Sequence, residues 1–385
     1  MNKGLKPQIR FKGFEDDWES RFLSELGEVK MCKRIMKYQT SEKGEVPFYK
    51  IGTFGSLPDA FISKKLFEEY SQKYPFPKKG DVIISAAGTI GRIVVFDGQP
   101  SYFQDSNLIW IDNDNSIIDN SFLAVAYPLV KWATSSTTIA RIYNDTVRKT
   151  KILSPGNLEE QIKLGKLFSK IANLISEAEL EIERLEKMKQ ASLQKMFPRP
   201  GSTTPEIRFA GFNRQWKETT LNQICSYSTF PLTVANAKSK GKYPLFDANN
   251  LIGFTDLNPI RQEYISIIKD GAGVGRIRIC PKNSLIIGTL GALRPNNRVD
   301  IYFLLMLLSI LKLGQQYSGS TIPHIYFSDY GNSTVIIPSY EEQKQIGEYF
   351  NNLDSVISSK RQKLAKLRQI KQACLDKMFV NAIEL

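Results

Sequence analysis

The chain carries one pattern twice. Pro7, Ile9, Arg10, Phe11, Gly13, Phe14 and Trp18 return as Pro205, Ile207, Arg208, Phe209, Gly211, Phe212 and Trp216, each 198 positions later. A second set closes each half. Pro155, Glu159, Glu160, Gln161, Gly165, Phe168, Lys195, Met196 and Phe197 return as Pro338, Glu341, Glu342, Gln343, Gly347, Phe350, Lys377, Met378 and Phe379, offset by 183 for the proline and 182 for the others. The stretches between these ends differ. A chain of this kind must fold as one scaffold built twice, with two unlike inserts.

The segments closing the halves read as long helices. Leu164, Phe168, Ile171, Ile175, Ala178, Ile182 and Leu185 are spaced alternately four and three apart, with no proline from 157 to 197. That heptad seam serves a helix packed lengthwise on another helix. The same seam recurs as Ile346, Phe350, Leu353, Ile357, Lys360, Leu364 and Leu367, with one lysine in place of Ala178. At about 1.5 Å per residue each helix is roughly 60 Å long. Pro155 and Pro338 precede the two starts, and Pro198 and Pro200 end the first helix. Domain termini usually lie close together, so the second helix should run back along the first. Charge favours the opposite choice. The block Glu177, Glu179, Glu181, Glu183 and Glu186 aligns better with Lys360, Arg361, Lys363, Lys366, Arg368 and Lys371 in a parallel pair. Topology decides for antiparallel.

The inserts change to short β-type runs broken by glycine. Asp81–Ser85, Arg92–Phe96 and Asn107–Ile111 read as strands in the first, and Tyr264–Ile268, Arg276–Ile279 and Ser284–Ile287 in the second. Each insert has a Gly-rich turn, Gly88–Arg92 or Gly271–Arg276, and an apolar helix, Phe122–Val130 or Tyr302–Leu313. The expected fold is α+β, with two mixed domains separated by two long antiparallel coiled-coil helices and related by an internal pseudo-twofold repeat. The expected segments are 1–156 and 198–339 for the mixed domains, and 157–197 and 340–385 for the helices.

With 52 basic and 39 acidic residues the net charge is +13, and most of the surplus falls in the inserts. A polyanionic partner is therefore expected. The four cysteines are scattered, which fits a reducing cytoplasm rather than a disulfide or zinc framework. The start has no apolar run suited to a signal peptide, and Ile301–Leu311 is about half the length of a membrane span, so no membrane partner is expected.

The opening Pro-x-Ile-Arg-Phe-x-Gly-Phe-x-x-x-Trp repeats and Glu-Glu-Gln at 159–161 and 341–343 carry a resemblance, together with Thr321-Ile-Pro-His-Ile325 and Lys-Met-Phe at 195–197 and 377–379. Over nearly its whole length the chain resembles the specificity subunit of Type I restriction-modification systems. The resemblance implies two target-recognition domains, each reading one half of an asymmetric, split site in double-stranded DNA, with the helices setting the spacer. It implies a non-catalytic chain that docks two methylation subunits and, through them, restriction subunits. S-adenosylmethionine, ATP and Mg²⁺ would be bound by those partners and no cofactor by this chain.

Base reading needs Arg, Lys, Asn, Gln, Ser or Thr on exposed loops, because these match the donors and acceptors on base edges. In the first domain the candidates are Lys33, Arg34, Lys37, Gln104 and Asn107, then Ser135, Ser136 and Arg141. In the second they are Lys238, Lys240, Lys242, Asn249 and Asn250, then Arg294, Asn296, Asn297, Ser318 and Ser320. Arg92 and Arg276 either face DNA or merely follow tight turns that need φ > 0. Arg10 and Arg208 either contact phosphate or form structural ion pairs. Phe11, Phe14, Trp18 and their copies read as core.

Catalytic signals are missing. The one histidine, His324, allows no His-based triad or multi-histidine metal site and reads as a structural or hydrogen-bonding residue. There is no P-loop, and no Asn/Asp-Pro-Pro-aromatic run of an adenine methyltransferase. No catalytic or metal residue is therefore assigned. The alternative reading is a structural adaptor whose rod and end domains bind proteins rather than DNA.

Overall fold

The computed structural model describes residues 5–134, 141–315 and 323–380. By contacts the chain divides into Met1–Glu177 with Leu364–Leu385, and Ala178–Lys363. Each unit takes in part of both long helices, which span Leu158–Met196 and Tyr340–Met378.

Both units are built to one plan that their inserts' sequences conceal. In the first, an antiparallel sheet runs Val29–Lys30, Leu108–Ile111, Val82–Ser85, Ile93–Val95. In the second it runs Cys225–Ser228, Leu290–Pro295, Tyr264–Ile268, Ile277–Cys280. The two inner strands, Val82–Ser85 and Tyr264–Ile268, are almost wholly apolar and fully buried. A three-stranded sheet follows the same rule in each unit. Val46–Tyr49 lies antiparallel to Phe61–Ile62 and parallel to Tyr102–Phe103, as Tyr243–Phe246 does to Leu251–Thr255 and Leu285–Ile286. Among the described residues the first copy carries a helix, Lys64–Lys73, that the second lacks; Ser63 caps it, and Phe67 and Tyr70 pack on that unit's second core.

The duplicated ends form the scaffold. Entrance and exit of each mixed domain pair as a two-stranded ribbon, Glu19–Phe22 with Lys151–Ser154 and Lys217–Thr220 with Thr334–Ile337. Arg10 holds Glu160 through Nε and Nη2 at 2.6 and 2.8 Å, and Arg208 holds Glu342 at 2.6 and 2.7 Å. Both glutamates are 1% exposed, so these arginines are structural ion pairs and not phosphate contacts. Gln161 donates to the carbonyls of Ile117 and Pro155 and accepts from Asp119 N–H; Gln343 repeats this with Arg298, Pro338 and Asp300. Asp119 and Asp300 then cap the helices Asn120–Ala126 and Ile301–Ile310.

Gly165 and Gly347 let those capped helices approach. A Cβ on Gly165 would strike the Ser121 hydroxyl and stand 2.7 Å from its carbonyl carbon, while one on Gly347 would strike the Asp300 carboxylate. Gly165→Ala and Gly347→Ala are each expected to cost about 1–3 kcal/mol by overpacking. Urea titration of the single variants checks this, and an unchanged midpoint would contradict the close approach.

Within each unit the helices are antiparallel. In Ala178–Lys363, Glu181 pairs with Lys360, Glu186 with Arg361 and Lys189 with Asp354, and the Ser192 hydroxyl meets that of Tyr349. From Glu186 to Ser192 along the first helix, the partners run back from Arg361 to Tyr349 along the second. The charge argument for a parallel pair is thereby corrected, since the acidic and basic blocks overlap in this arrangement as well. Ala178, Ile182, Leu353, Ile357 and Leu364 are buried, and Ile171 with them, while Ile175, Leu185 and Leu367 are half-buried. Lys360, at the seam position matching Ala178, turns its ammonium to Glu181 at 2.7 Å.

The outer seam residues serve the domain cores. Leu164 and Phe168 join a cluster with Trp18, Phe122, Met378 and Phe379. Ile346 and Phe350 join one with Trp216, Phe303, Met196 and Phe197. Each Lys-Met-Phe thus closes a core to which its own half's insert does not belong. The backbone repeats the exchange, with Ile9 N–H donating to Lys377 O and Ile207 N–H to Lys195 O, both at 2.8 Å. Trp18 and Trp216 are 2% exposed; Phe11, Phe14, Phe209 and Phe212, also expected in the core, are half-buried, with Phe11 and Phe209 packed against the core clusters.

Candidate nucleic-acid interface

One corner of each mixed domain is assembled by the same backbone bonds. In the first, Ala86 N–H donates to Asn107 O, Ile142 N–H to Ala86 O, and Gly91 N–H to Ser85 O. In the second, the corresponding bonds run from Lys269 to Thr289, Ile325 to Lys269, and Gly275 to Ile268. Positive φ at Gly88, Gly91, Gly271, Gly273 and Gly275 turns the chain back within a few residues. Arg92 and Arg276 follow those turns in equivalent places. This corner brings together residues far apart in sequence.

In the first domain it opens as a cleft of about 480 Å³ whose lining includes Arg34, Lys37, Lys50, Gln104, Asn107 and Arg141. Arg141 Nη2 donates to Asn107 Oδ1 at 2.6 Å. Gln104 Oε1 accepts from Ile51 N–H, which ties the cleft to the loop after Val46–Tyr49. Arg34 is two-thirds exposed and pairs with Asp105 at 2.8 Å. A pair that open is worth no more than about 1 kcal/mol and exchanges readily for phosphate. Lys33 lies outside this lining, its ammonium 5.1 Å from the Tyr74 ring centroid. Arg92 is exposed beside Gly55.

In the second domain Arg276 Nη2 donates to Asn249 Oδ1 at 2.6 Å and to Ala248 O, and Arg278 reaches the carbonyls of Asp247 and Asn249. Two arginines therefore brace the turn carrying Asn249 and Asn250, both exposed. At the bridge after strand Tyr264–Ile268, His324 Nδ1 lies 2.7 Å from Asp270 Oδ1, and Lys269 Nζ lies 2.8 Å from Oδ2. Burial would raise the Asp270 carboxyl, but hydrogen bonds from Lys269 and His324 outweigh it and hold the group below the usual carboxylate range. Asp270 is thus ionised at neutral pH and acts as an acceptor only, which places a proton on Nδ1 of His324.

Several candidates lie elsewhere. Lys238, Lys240 and Lys242 sit at the end of strand Tyr243–Phe246 opposite the Asn249 turn, with Lys238 paired to Asp256 at 2.9 Å. Arg294, Asn296 and Asn297 line a polar cleft of about 580 Å³ with Ser226, Gln262 and Arg298, at the far end of Leu290–Pro295 from Thr289. The matching end of the first domain carries acid as well as base, with Lys78 paired to Asp112 and Lys30 to Glu28. Ser135, Ser136, Ser318 and Ser320 lie outside the described residues. Sequence reasoning missed Lys50, Lys269, Asp270 and Arg278, and left His324 without a place. The signal available was the common spacing of Arg141 and His324 from their Gly-rich turns.

Among the described residues no group of three or more His, Cys, Asp or Glu side chains is placed to hold a metal ion, and no helix is long and apolar enough to cross a membrane. Burial pushes the thiols of Cys32 and Cys225 up to about 12, so neither is a ready nucleophile at neutral pH.

A family model described as the Type I restriction modification DNA specificity domain matches residues 15–187 and 213–369. The putative type I restriction enzyme specificity subunit S.HindORF215P of Haemophilus influenzae is 52% identical over 170 residues, 43% of this chain and 44% of that protein. The chain thus matches less than half the length of that relative. The putative type I restriction enzyme MjaX specificity subunit of Methanocaldococcus jannaschii is 22% identical across 96% of this chain and 94% of that protein. The crystal structure of a Type I restriction-modification S subunit from M. genitalium superposes with a TM-score of 0.71 at 19% identity, covering 97% of this chain and 99% of that one. At that identity the likeness is one of fold.

Proposed function

Because the chain belongs to the Type I restriction-modification DNA specificity family, we propose that its two mixed domains each read one half of a split, asymmetric DNA site. The observation that carries this is the corner built twice on the same backbone bonds and furnished with different polar side chains. Like frames offer like approaches to a groove; unlike side chains select unlike sequences. A symmetric reader would demand a palindrome instead.

The chain is the non-catalytic, sequence-reading component. Its long helices, about 58 Å each at 39 residues, set the spacer between half-sites, and B-DNA presents the same groove face again after about 34 Å. It docks two methylation subunits and, through them, restriction subunits. S-adenosylmethionine, ATP and Mg²⁺ are bound by those partners. A chain without its own methylating or cleaving groups needs partners that hold them.

The test is binding of the full chain with its methylation partner to a duplex library over a salt series. One bipartite sequence should be enriched, and affinity should fall about 10³–10⁵-fold between 50 and 200 mM salt if 6–10 phosphates are contacted. A flat salt response with no enriched sequence would point instead to a protein adaptor.

A further inference from the structure

Two side chains of unlike chemistry occupy one equivalent backbone position in the two corners. Arg141 forms an isolated antiparallel bridge with Ala87, and His324 forms the same bridge with Asp270. Both bridges follow a fully buried inner strand of the four-stranded sheet. Both side chains are partly exposed, and among the described residues each meets a polar side chain at 2.6–2.7 Å. A side chain fixed by a neighbour and still open to solvent is pre-organised to contact a base edge.

We propose that Arg141 and His324 are the specificity-determining base readers of the two half-sites, Arg141 for a guanine and His324 for the exocyclic amine of an adenine or cytosine. This rests on the DNA-reading function proposed above and assigns it to particular atoms. Arg141 differs from its neighbour Arg34, whose charge is matched by Asp105. The Arg141 partner is the neutral amide of Asn107. Among the described residues Asn107 takes one of the five guanidinium N–H groups, and a bidentate fork on guanine O6 and N7 needs two of the others.

His324 offers different chemistry at the same place. Its Nδ1–H is committed to Asp270, which Lys269 holds from the other side. The remaining ring nitrogen, Nε2, is an acceptor in the neutral imidazole. Of the major-groove edges, adenine N6 and cytosine N4 present the amine donors it can accept. The Tyr326 ring lies nearly parallel to the imidazole at 6.3 Å between centroids, and Asp270 sets the ring's other edge.

The experiment maps methylated adenines in cells carrying the full chain and its methylation subunits. The unaltered system should give one bipartite motif; if it gives none, the DNA-reading function fails, whatever Arg141 and His324 do. Given a motif, Arg141→Lys should weaken discrimination at a single guanine of one half-site by roughly 5- to 150-fold, leaving the other half unchanged. Arg141→Gln should move preference at that position from guanine towards adenine, the base whose edge suits a glutamine amide. His324→Phe keeps a ring and removes both nitrogens, and should relax one adenine or cytosine position of the other half-site only.

If Arg141→Lys left too little methylation to map, competition binding of the purified complex against duplexes substituted at each position would give the same reading. An unchanged motif in all three variants overturns the assignment. So does weakening that is uniform across sequences, the mark of a phosphate contact, or a change in both halves from one variant.

Discussion

Phe379→Ala should destabilise the first mixed domain by about 3–5 kcal/mol and leave the second nearly untouched, although Phe379 lies in the C-terminal helix region. Its ring is 7% exposed, edge-on to Trp18 at 5.5 Å, stacked on Phe122 at 5.6 Å and edge-on to Phe168 at 5.6 Å. Truncation removes the transfer energy of a buried aromatic and leaves a void lined by three other rings, which cannot all close in. Phe197→Ala should do the converse. Its ring meets Trp216, Phe303 and Phe350 of the other unit's core. A chain with two cooperative units is poorly described by one unfolding midpoint, so the measurement is amide exchange resolved by strand. Phe379→Ala should speed exchange in Val82–Ser85 and spare Tyr264–Ile268. Equal acceleration in both strands would mean that the plug does not serve one core.

Glu160→Ala should cost about 3–5 kcal/mol. The carboxylate is 1% exposed and takes two hydrogen bonds from Arg10, itself only 12% exposed. Removing it leaves a largely buried guanidinium that cannot shed its proton, with its Nη1 donation to the Asp16 carbonyl still in place. A double variant, Arg10→Met with Glu160→Leu, should recover much of the loss, because two apolar groups leave no unmatched charge. Chemical denaturation of the unaltered protein, Arg10→Met, Glu160→Leu and the double variant closes the cycle. Additive single-variant effects would show that the pair is not a coupled unit.

The two predictions concern residues visible in the sequence as repeats, yet for which the repeats stated no role. Arg10 and Glu160 recur as Arg208 and Glu342, and duplication alone left phosphate contact and ion pairing equally open. The answer needed a bond across 150 positions of sequence. The helices were more legible. A seam spaced four and three is a local property, and the observed bounds Leu158–Met196 and Tyr340–Met378 follow from it and from the flanking prolines. Charge blocks misled because they report an average over a helix, whereas Glu181 with Lys360 and Glu186 with Arg361 depend on register.

Candidate base readers were the least legible part. Arg34, Lys37, Gln104, Asn107 and Arg141 share one cleft, but Lys33 does not belong to its lining. Arg294, Asn296 and Asn297 line a separate polar cleft, at the other end of their strand from the shared corner. Their chemistry is the same as that of Asn249 and Arg276; only position distinguishes them. His324 went unplaced because its meaning comes from Asp270, 54 residues away, and from equivalence with Arg141.

Periodicity, duplication and charge determined on their own that the chain is a doubled scaffold with two long helices and two unlike mixed domains. These are patterns in which each residue is read against near neighbours or against its own copy. Tertiary structure decided which helix end closes which core, that the unlike inserts share one sheet plan, and which polar side chains meet at one corner. Those outcomes depend on contacts between residues distant in the chain, where loop conformation and strand register place each side chain and residue type alone does not.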